Sequence, residues 1–279
     1  MTIRITTLTE NTASAAGLAA EWGLSILIET DAATVLFDTG HTDSAVRNAL
    51  ALGVDLSRVD RIVLSHGHPD HTGGLRDVLK AMRKEVKVVA HPDVWRPKYI
   101  RRAGETPYRY IGIPFRREEL EGLGASFQLT TEPLWLSDTM VTTGEIRMTA
   151  PHEQIDAGLY TSGADDFVPD PLADDLALVL KTPAGLVLVC GCAHRGLINT
   201  IRQARAITGV QTVDRVLGGT HLVRATTDQV DYTIAQLKEM DIKRLGVSHC
   251  TGFHASARLA AALGDRFFVN NAGTRLEVS

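Results

Sequence analysis

Short apolar runs of strand length recur along this chain, and most lead through polar or glycine residues into an amphipathic stretch of helical period. Ile3 to Leu8, Leu24 to Glu29 and Thr34 to Phe37 alternate or cluster apolar residues, and Asp31-Ala32-Ala33 suits a hairpin turn. The chain should therefore open with a small antiparallel meander. Val35 to Gly40 passes from a buried run into polar and glycine residues, and Asp43 is placed to cap a helix from Ser44 to Leu52. Ile62-Val63-Leu64 reads as the next buried strand. Pro69 argues against helix in the loop that follows, before an amphipathic helix from Leu75 to Met82 and a strand from Val86 to Ala90.

From His91 to about Thr149 the alternation is lost, which marks 91–149 as a candidate insertion in an otherwise single 1–279 domain. Arg96, Lys98, Arg101, Arg102, Arg109, Arg116 and Arg117 are interleaved there with Trp95, Tyr99, Tyr108, Tyr110 and Phe115. The bland interpretation is a solvated surface with snorkelling arginines. The sharper one is a lid whose Arg101 and Arg102 receive an anionic substrate while aromatics stack on its ring.

Alternation resumes at Asp175. Leu176 to Lys181 and Leu186 to Cys190 should form a hairpin, followed by a helix from Ile198 to Ile207 and a strand from Val213 to Leu217. A helix from Thr227 to Met240, a strand from Arg244 to Val247, a helix from His254 to Leu263 and a closing strand from Phe267 to Val269 complete the chain. Two halves of similar design, each with functional residues at strand ends, predict an α/β (α+β) protein. The specific expectation is a four-layer αββα sandwich with its site along one edge.

Composition narrows the partners. With 279 residues, 44% hydrophobic, 22% charged and a net charge of -4, the chain has ordinary globular character and no overall basic surface for nucleic acid. No apolar run approaches the ~20 residues of a membrane span, and the N-terminus lacks a signal-peptide pattern, so a cytoplasmic protein is expected. Cys190, Cys192 and Cys250 are too few and too closely spaced for a disulfide framework. A homo-oligomer is compatible with all of this.

The densest chemistry lies in Ser65 to Gly74, SHGHPDHTGG, with His66, His68, Asp70 and His71 in six residues. Nitrogen and carboxylate donors of this kind suit zinc, manganese and iron, and four so close in sequence point to two ions rather than one. Asp38, at an earlier strand end, is either a turn residue or an acceptor that orients a metal-bound histidine. His194, His221 and His249 each follow a buried strand, and their equivalent placement argues for a shared site. Cys192 could ligate as thiolate, whereas Cys190 and Cys250 read as small buried hydrophobes. His152 either touches metal or belongs to a polar loop, and His41, His91 and His254 are expected at the surface.

SHGHPDHTGG resembles the His-x-His-x-Asp-His motif of the metallo-β-lactamase fold. FDTG at 37–40, GCAHRGLINT at 191–200, GGTHL at 218–222 and SHCTG at 248–252 resemble one branch. That branch is the 7,8-dihydropterin-6-yl-methyl-4-(β-D-ribofuranosyl)aminobenzene 5'-phosphate synthase-like proteins. The resemblance implies the αββα fold and two divalent metal ions, most often zinc. His66 and His68 would serve the first ion, and Asp70, His71 and His249 the second. Gly191-Cys192-Ala193-His194 stands where the fold usually carries a bridging aspartate, so His194 is expected to take over as ligand, with Cys192 as the alternative. The branch would have Phe where Thr220 stands, which changes the site's shape beside His221.

The implied reaction is transfer of a pterin-methyl group from its diphosphate onto an aminobenzene, with diphosphate release. Asp70 would act chiefly as a ligand, and His221 would hold substrate or move a proton. Alternatives are a metal-dependent hydrolase of a phosphoester or lactone, a non-enzymatic ligand sensor and a redox diiron protein. The last requires a carboxylate where His68 stands.

Overall fold

The structure is a computed structural model that describes residues 2–102, 104 and 107–278. Its strands, in chain order, begin with β1 (Ile3–Thr9), β2 (Ser25–Glu29), β3 (Thr34–Phe37), β4 (Arg61–Val63), β5 (Val86–Ala90) and β6 (Lys98–Ile100). They continue with β7 (Arg109–Tyr110), β8 (Ala125–Leu129), β9 (Trp135–Ser137), β10 (Met140–Thr142), β11 (Leu159–Ser162) and β12 (Phe167–Pro169). The last five are β13 (Ala177–Thr182), β14 (Gly185–Cys190), β15 (Val213–Gly219), β16 (Arg244–Ser248) and β17 (Arg275–Val278). The helices are α1 (Ser44–Ala51), α2 (Pro69–Thr72), α3 (Leu75–Met82), α4 (Arg117–Gly122), α5 (Leu197–Thr208), α6 (Thr227–Glu239) and α7 (Phe253–Leu263).

A first sheet has the order β17-β1-β2-β3-β4-β5-β8, and a second β16-β15-β14-β13-β10-β9. The expected meander is present, since β1, β2 and β3 pair antiparallel, whereas β3, β4, β5 and β8 run parallel. The layering follows from the two-residue period of each strand. In β3, Val35 and Phe37 point into a core shared with Val187 and Val189 of β14, while Leu36 points the other way onto Ala45, Leu75 and Leu79 of the helices. In β14, Leu186, Leu188 and Cys190 face Ile198 and Ile201 of α5 and Leu259 of α7. Strands apolar on both faces are covered on both faces, which produces the αββα sandwich.

Several local expectations need correction. Pro69 does not exclude helix. It occupies the first turn of α2, where its missing N–H has no intrahelical partner to lose, and His68 is the N-cap. Asp43 sits at the N-cap of α1, but its side chain makes no capping hydrogen bond. Phe267 forms only an isolated bridge to Leu245, and the chain closes instead through β17 antiparallel to β1. His91 is buried, its Nδ1 accepting from the Asp93 amide at 3.0 Å.

The stretch 91–149 is shared between layers. β8 extends the first sheet, β9 and β10 extend the second, and β6 and β7 join β11 and β12 in a third sheet of order β12-β11-β6-β7. That small sheet stands beside the edge where the donor residues collect.

Candidate metal centre and its cleft

Two groupings of donor atoms meet at the C-terminal ends of the strands. In the first, His66 Nε2 lies 2.9 Å from His68 Nδ1 and 3.2 Å from His194 Nε2. In the second, His249 Nε2 lies 3.2 Å from His71 Nε2 and 3.2 Å from Asp70 Oδ2. Cys192 Sγ is 3.1 Å from His71 Nε2 and falls within 4.8 Å of the ligand atoms of both His66 with His194 and His71 with His249. It therefore stands between the groupings. Such spacings approach the ~3.3 Å edge of a tetrahedron with metal–nitrogen bonds of 2.0–2.1 Å.

The protonation balance agrees with a cation site. Burial pushes His66 and His194 well below the ordinary histidine range and His68 down to about 3, leaving these rings neutral with lone pairs available. Burial would also lower His71, but the carboxylates of Asp38 and Asp70 raise it to about 9. Burial raises the Cys192 thiol, so a thiolate there needs a neighbouring cation. The donor set fits divalent metal, with His and Cys groups able to bind it.

Several donors are held from behind, whereas His68 Nε2 and His194 Nδ1 are buried without a hydrogen-bond partner among the described residues. Asp38 accepts from the Ser65 amide and hydroxyl and pairs with His71 Nδ1, all at 2.7 Å. These contacts fix the orientation of the His71 ring. His249 Nδ1 is 3.0 Å from Asn11 Oδ1, and its amide donates to Glu10 Oε1 at 2.6 Å. Asp38, His221 and His249 adopt positive φ of 57°, 49° and 54°. Non-glycine residues take that conformation at a cost, and such strain concentrates where side chains must be aimed.

A cleft of about 500 Å³ opens over these donors, lined by His68, Asp70, Cys192, His194 and His221 among others. Arg102, Arg109 and Arg224 supply positive charge, and Ile100, Ile111, Leu159, Val223 and Trp22 supply apolar wall. Trp22 Nε1 donates to Asp70 Oδ2 at 3.0 Å, so the loop after β1 reaches the site's mouth. His221 faces Asp156 at 3.7 Å, an ion-pair rather than hydrogen-bond separation, and burial, which would lower it, is outweighed by Asp156 together with Cys250, which raise it to about 9. A smaller cavity of about 240 Å³ adjoins on the other side of His221 and Asp156.

Not every sequence candidate reaches this cleft. Arg101 instead lies over the Tyr108 ring at 4.3 Å and the Tyr160 ring at 5.5 Å, away from the cleft lining. His152 is exposed against Tyr232, with ring centroids 4.5 Å apart, and joins none of the donor groupings among the described residues. Sequence reasoning missed Glu10, Asn11, Trp22, Asp170, Asp174 and Asp175, and it grouped Lys98, which is buried, with the surface or lid cations. Two adjacent carboxylates, Asp174 and Asp175, directly before the buried run that starts at Leu176 were an available signal.

The family model described as the Metallo-beta-lactamase superfamily matches residues 23–194, from β2 through His194. The chain belongs to the metallo-beta-lactamase superfamily. A relative from Methanocaldococcus jannaschii, named 7,8-dihydropterin-6-methyl-4-(beta-D-ribofuranosyl)-aminobenzene-5'-phosphate synthase, is 33% identical over 246 residues. The match covers 84% of this chain and 82% of the relative. An uncharacterized protein of the same organism is 32% identical, with 86% of this chain and 88% of that protein covered. A solved structure described as a metal-dependent hydrolase of the beta-lactamase superfamily superposes with a TM-score of 0.85. It is 27% identical, and 99% of each chain is covered. Within the superfamily's fold, the departure at Gly191-Cys192 puts a thiol between the two donor groupings. His194, two residues on, completes the first grouping, so both sequence alternatives for the strand end lie at the centre.

Proposed function

We propose that this protein is a dinuclear-metal enzyme that transfers a pterin-methyl group onto an aminobenzene ribosyl phosphate with release of diphosphate. The observation that carries this reading is the 33% identity to the named synthase across 84% of the chain. His66, His68 and His194 would hold one ion, Asp70, His71 and His249 the other, and Cys192 would lie between them. Zinc is the first choice, and the nitrogen and oxygen donors also suit manganese or iron. A bound pair of divalent ions supplies Lewis acidity toward phosphoryl or carbonyl oxygens.

The chain's own residues would do the rest. Arg102, Arg109 and Arg224 attract phosphate groups, Ile100, Ile111 and Leu159 pack against a flat ring, and His221, held by Asp156, faces the reacting centre. Among the described residues no helix is long and apolar enough to cross a membrane. The three free cysteines suit a reducing compartment, in line with a cytoplasmic enzyme.

The test is turnover by purified, metal-loaded protein of the pterin-methyl diphosphate and aminobenzene ribofuranosyl phosphate pair, with diphosphate as the measured product. A second reading, a metal-dependent hydrolase, is favoured by the solved structure with a TM-score of 0.85. Phosphodiester or lactone hydrolysis without diphosphate release would select it. Tight binding of either ligand without turnover would instead select a sensor.

A further inference from the structure

Lys98 begins β6, yet its side chain is only 1% exposed. Its Nζ lies 2.8 Å from Asp174 Oδ1 and 3.2 Å from Asp170 Oδ2. The other oxygen of Asp174 accepts from the Gly67 amide at 2.8 Å. Gly67 is the residue between His66 and His68, so this carboxylate grips the backbone that carries both donors. A Cβ at Gly67 would meet Val94 O at 2.4 Å and Lys98 Cε at 3.0 Å, which means the loop is seated directly on the lysine stem. Asp175 makes the matching contact on the other side, accepting from the Arg195 amide next to His194 at 2.8 Å. Leu176 N then donates to Ser65 O at 2.9 Å, closing the segment onto the residue before His66.

We propose that Asp174, fixed by Lys98, is a positioning residue that sets the His66–His68 half of the first donor grouping through the Gly67 amide. The same lysine sits on the strand that leads to Arg102 and pairs with β7, which carries Arg109, so two of the cleft's three arginines and the motif loop share one buried cluster of Lys98, Asp174 and Asp170. A lone buried ion pair is weak evidence for stability, because desolvation offsets attraction. Its distinctive consequence here is aim. Outer contacts of this kind change metal affinity by about 10- to 100-fold when removed. The proposal rests on the reading that His66, His68 and His194 hold an ion.

The experiment is zinc titration of metal-free protein against a chromophoric chelator, with His249→Ala assigning the step that belongs to the second grouping. Asp174→Ala is expected to weaken the first-grouping step by about 10- to 100-fold and leave the other within a few-fold. Asp174→Asn keeps an oxygen for Gly67 and should recover most of the loss. If Asp174→Ala does not fold, two double variants carry the test, Lys98→Met with Asp174→Leu and Lys98→Met with Asp174→Asn. Both lack the ion pair, and only the second retains the Gly67 acceptor, so the first should show the selective loss. Equal affinities within either pair of variants, or equal weakening of both steps, would overturn the proposal. Wild-type stoichiometry reads the two-ion assignment separately, since one bound equivalent would reject that assignment while the variant comparison still reports on Gly67.

Discussion

The two donor groupings lie side by side but are built in different ways. The first offers three neutral imidazoles, His66, His68 and His194, whose backbone neighbours are gripped by Asp174 and Asp175. The second mixes a carboxylate, Asp70, with His71 and His249, and its support acts on the rings themselves through Asp38 and Asn11. The first grouping is gripped mostly through the main chain, with Ser65 Oγ also 2.9 Å from His66 Nδ1, whereas the second is braced at its rings as well as at the His249 amide, which donates to Glu10. Charge differs accordingly, because Asp38 and Asp70 raise His71 to about 9 while burial lowers His68 to about 3. The second grouping thus carries anionic compensation before any cation arrives, and the first relies on the cation for its charge.

The largest expected effect comes from removing a donor. His66→Ala and His249→Ala should each abolish tight binding of one ion and reduce turnover by more than the ~10- to 100-fold typical of a supporting residue. Zinc content by atomic absorption, read beside activity, checks this, and loss of both ions in either variant would merge the two groupings into one.

Next is Asp38→Asn, expected to cost about 10- to 100-fold in affinity at the second grouping. In metal-free protein it should also reduce a pH dependence, since Asp70 still faces His71. His71 is raised from 6.5 to about 9, so its contribution to stability is full below 6.5 and is lost as pH rises through 9. Denaturant unfolding should show the largest gap between wild type and Asp38→Asn below pH 6.5, closing above 9.

At the cleft wall, Arg102→Ala or Arg109→Ala should raise KM for an anionic substrate by about tenfold, from one lost charge-assisted hydrogen bond, with metal content unchanged. Arg101→Ala should leave KM unaltered, since Arg101 is committed to Tyr108 and Tyr160.

The smallest effect is expected at Glu153, whose carboxylate accepts from the Ile198 and Asn199 amides at 2.7 and 2.8 Å, at the start of the helix that follows His194. Burial raises it from 4.5 to about 7, so the folded protein holds a proton that the unfolded chain releases, and stability falls as pH rises from 4.5 to 7. Glu153→Gln should flatten that slope in thermal melts.

Where a strand is buried on both faces, its bounds were legible to within a residue, as in Gly185–Cys190. An unbroken apolar run has one favourable environment. β6, β7, β9 and β10 were not legible, because they are two or three residues long, and β6 in addition owes its place to β11, about sixty residues further along the chain. Lys98 was misread with its basic neighbours for the same reason. Its burial depends on Asp170 and Asp174, 72 and 76 positions away.

By itself the sequence determined the layered fold, the donor types and the candidates His66, His68, Asp70, His71, His194 and His249, since periodicity and donor chemistry are local properties. Only the tertiary structure decided that Cys192 stands between the groupings, that Arg102 rather than Arg101 lines the cleft, and that Asp174 grips Gly67. Those outcomes depend on distances between residues remote in sequence. Packing of two sheets sets such distances, and no local pattern encodes them.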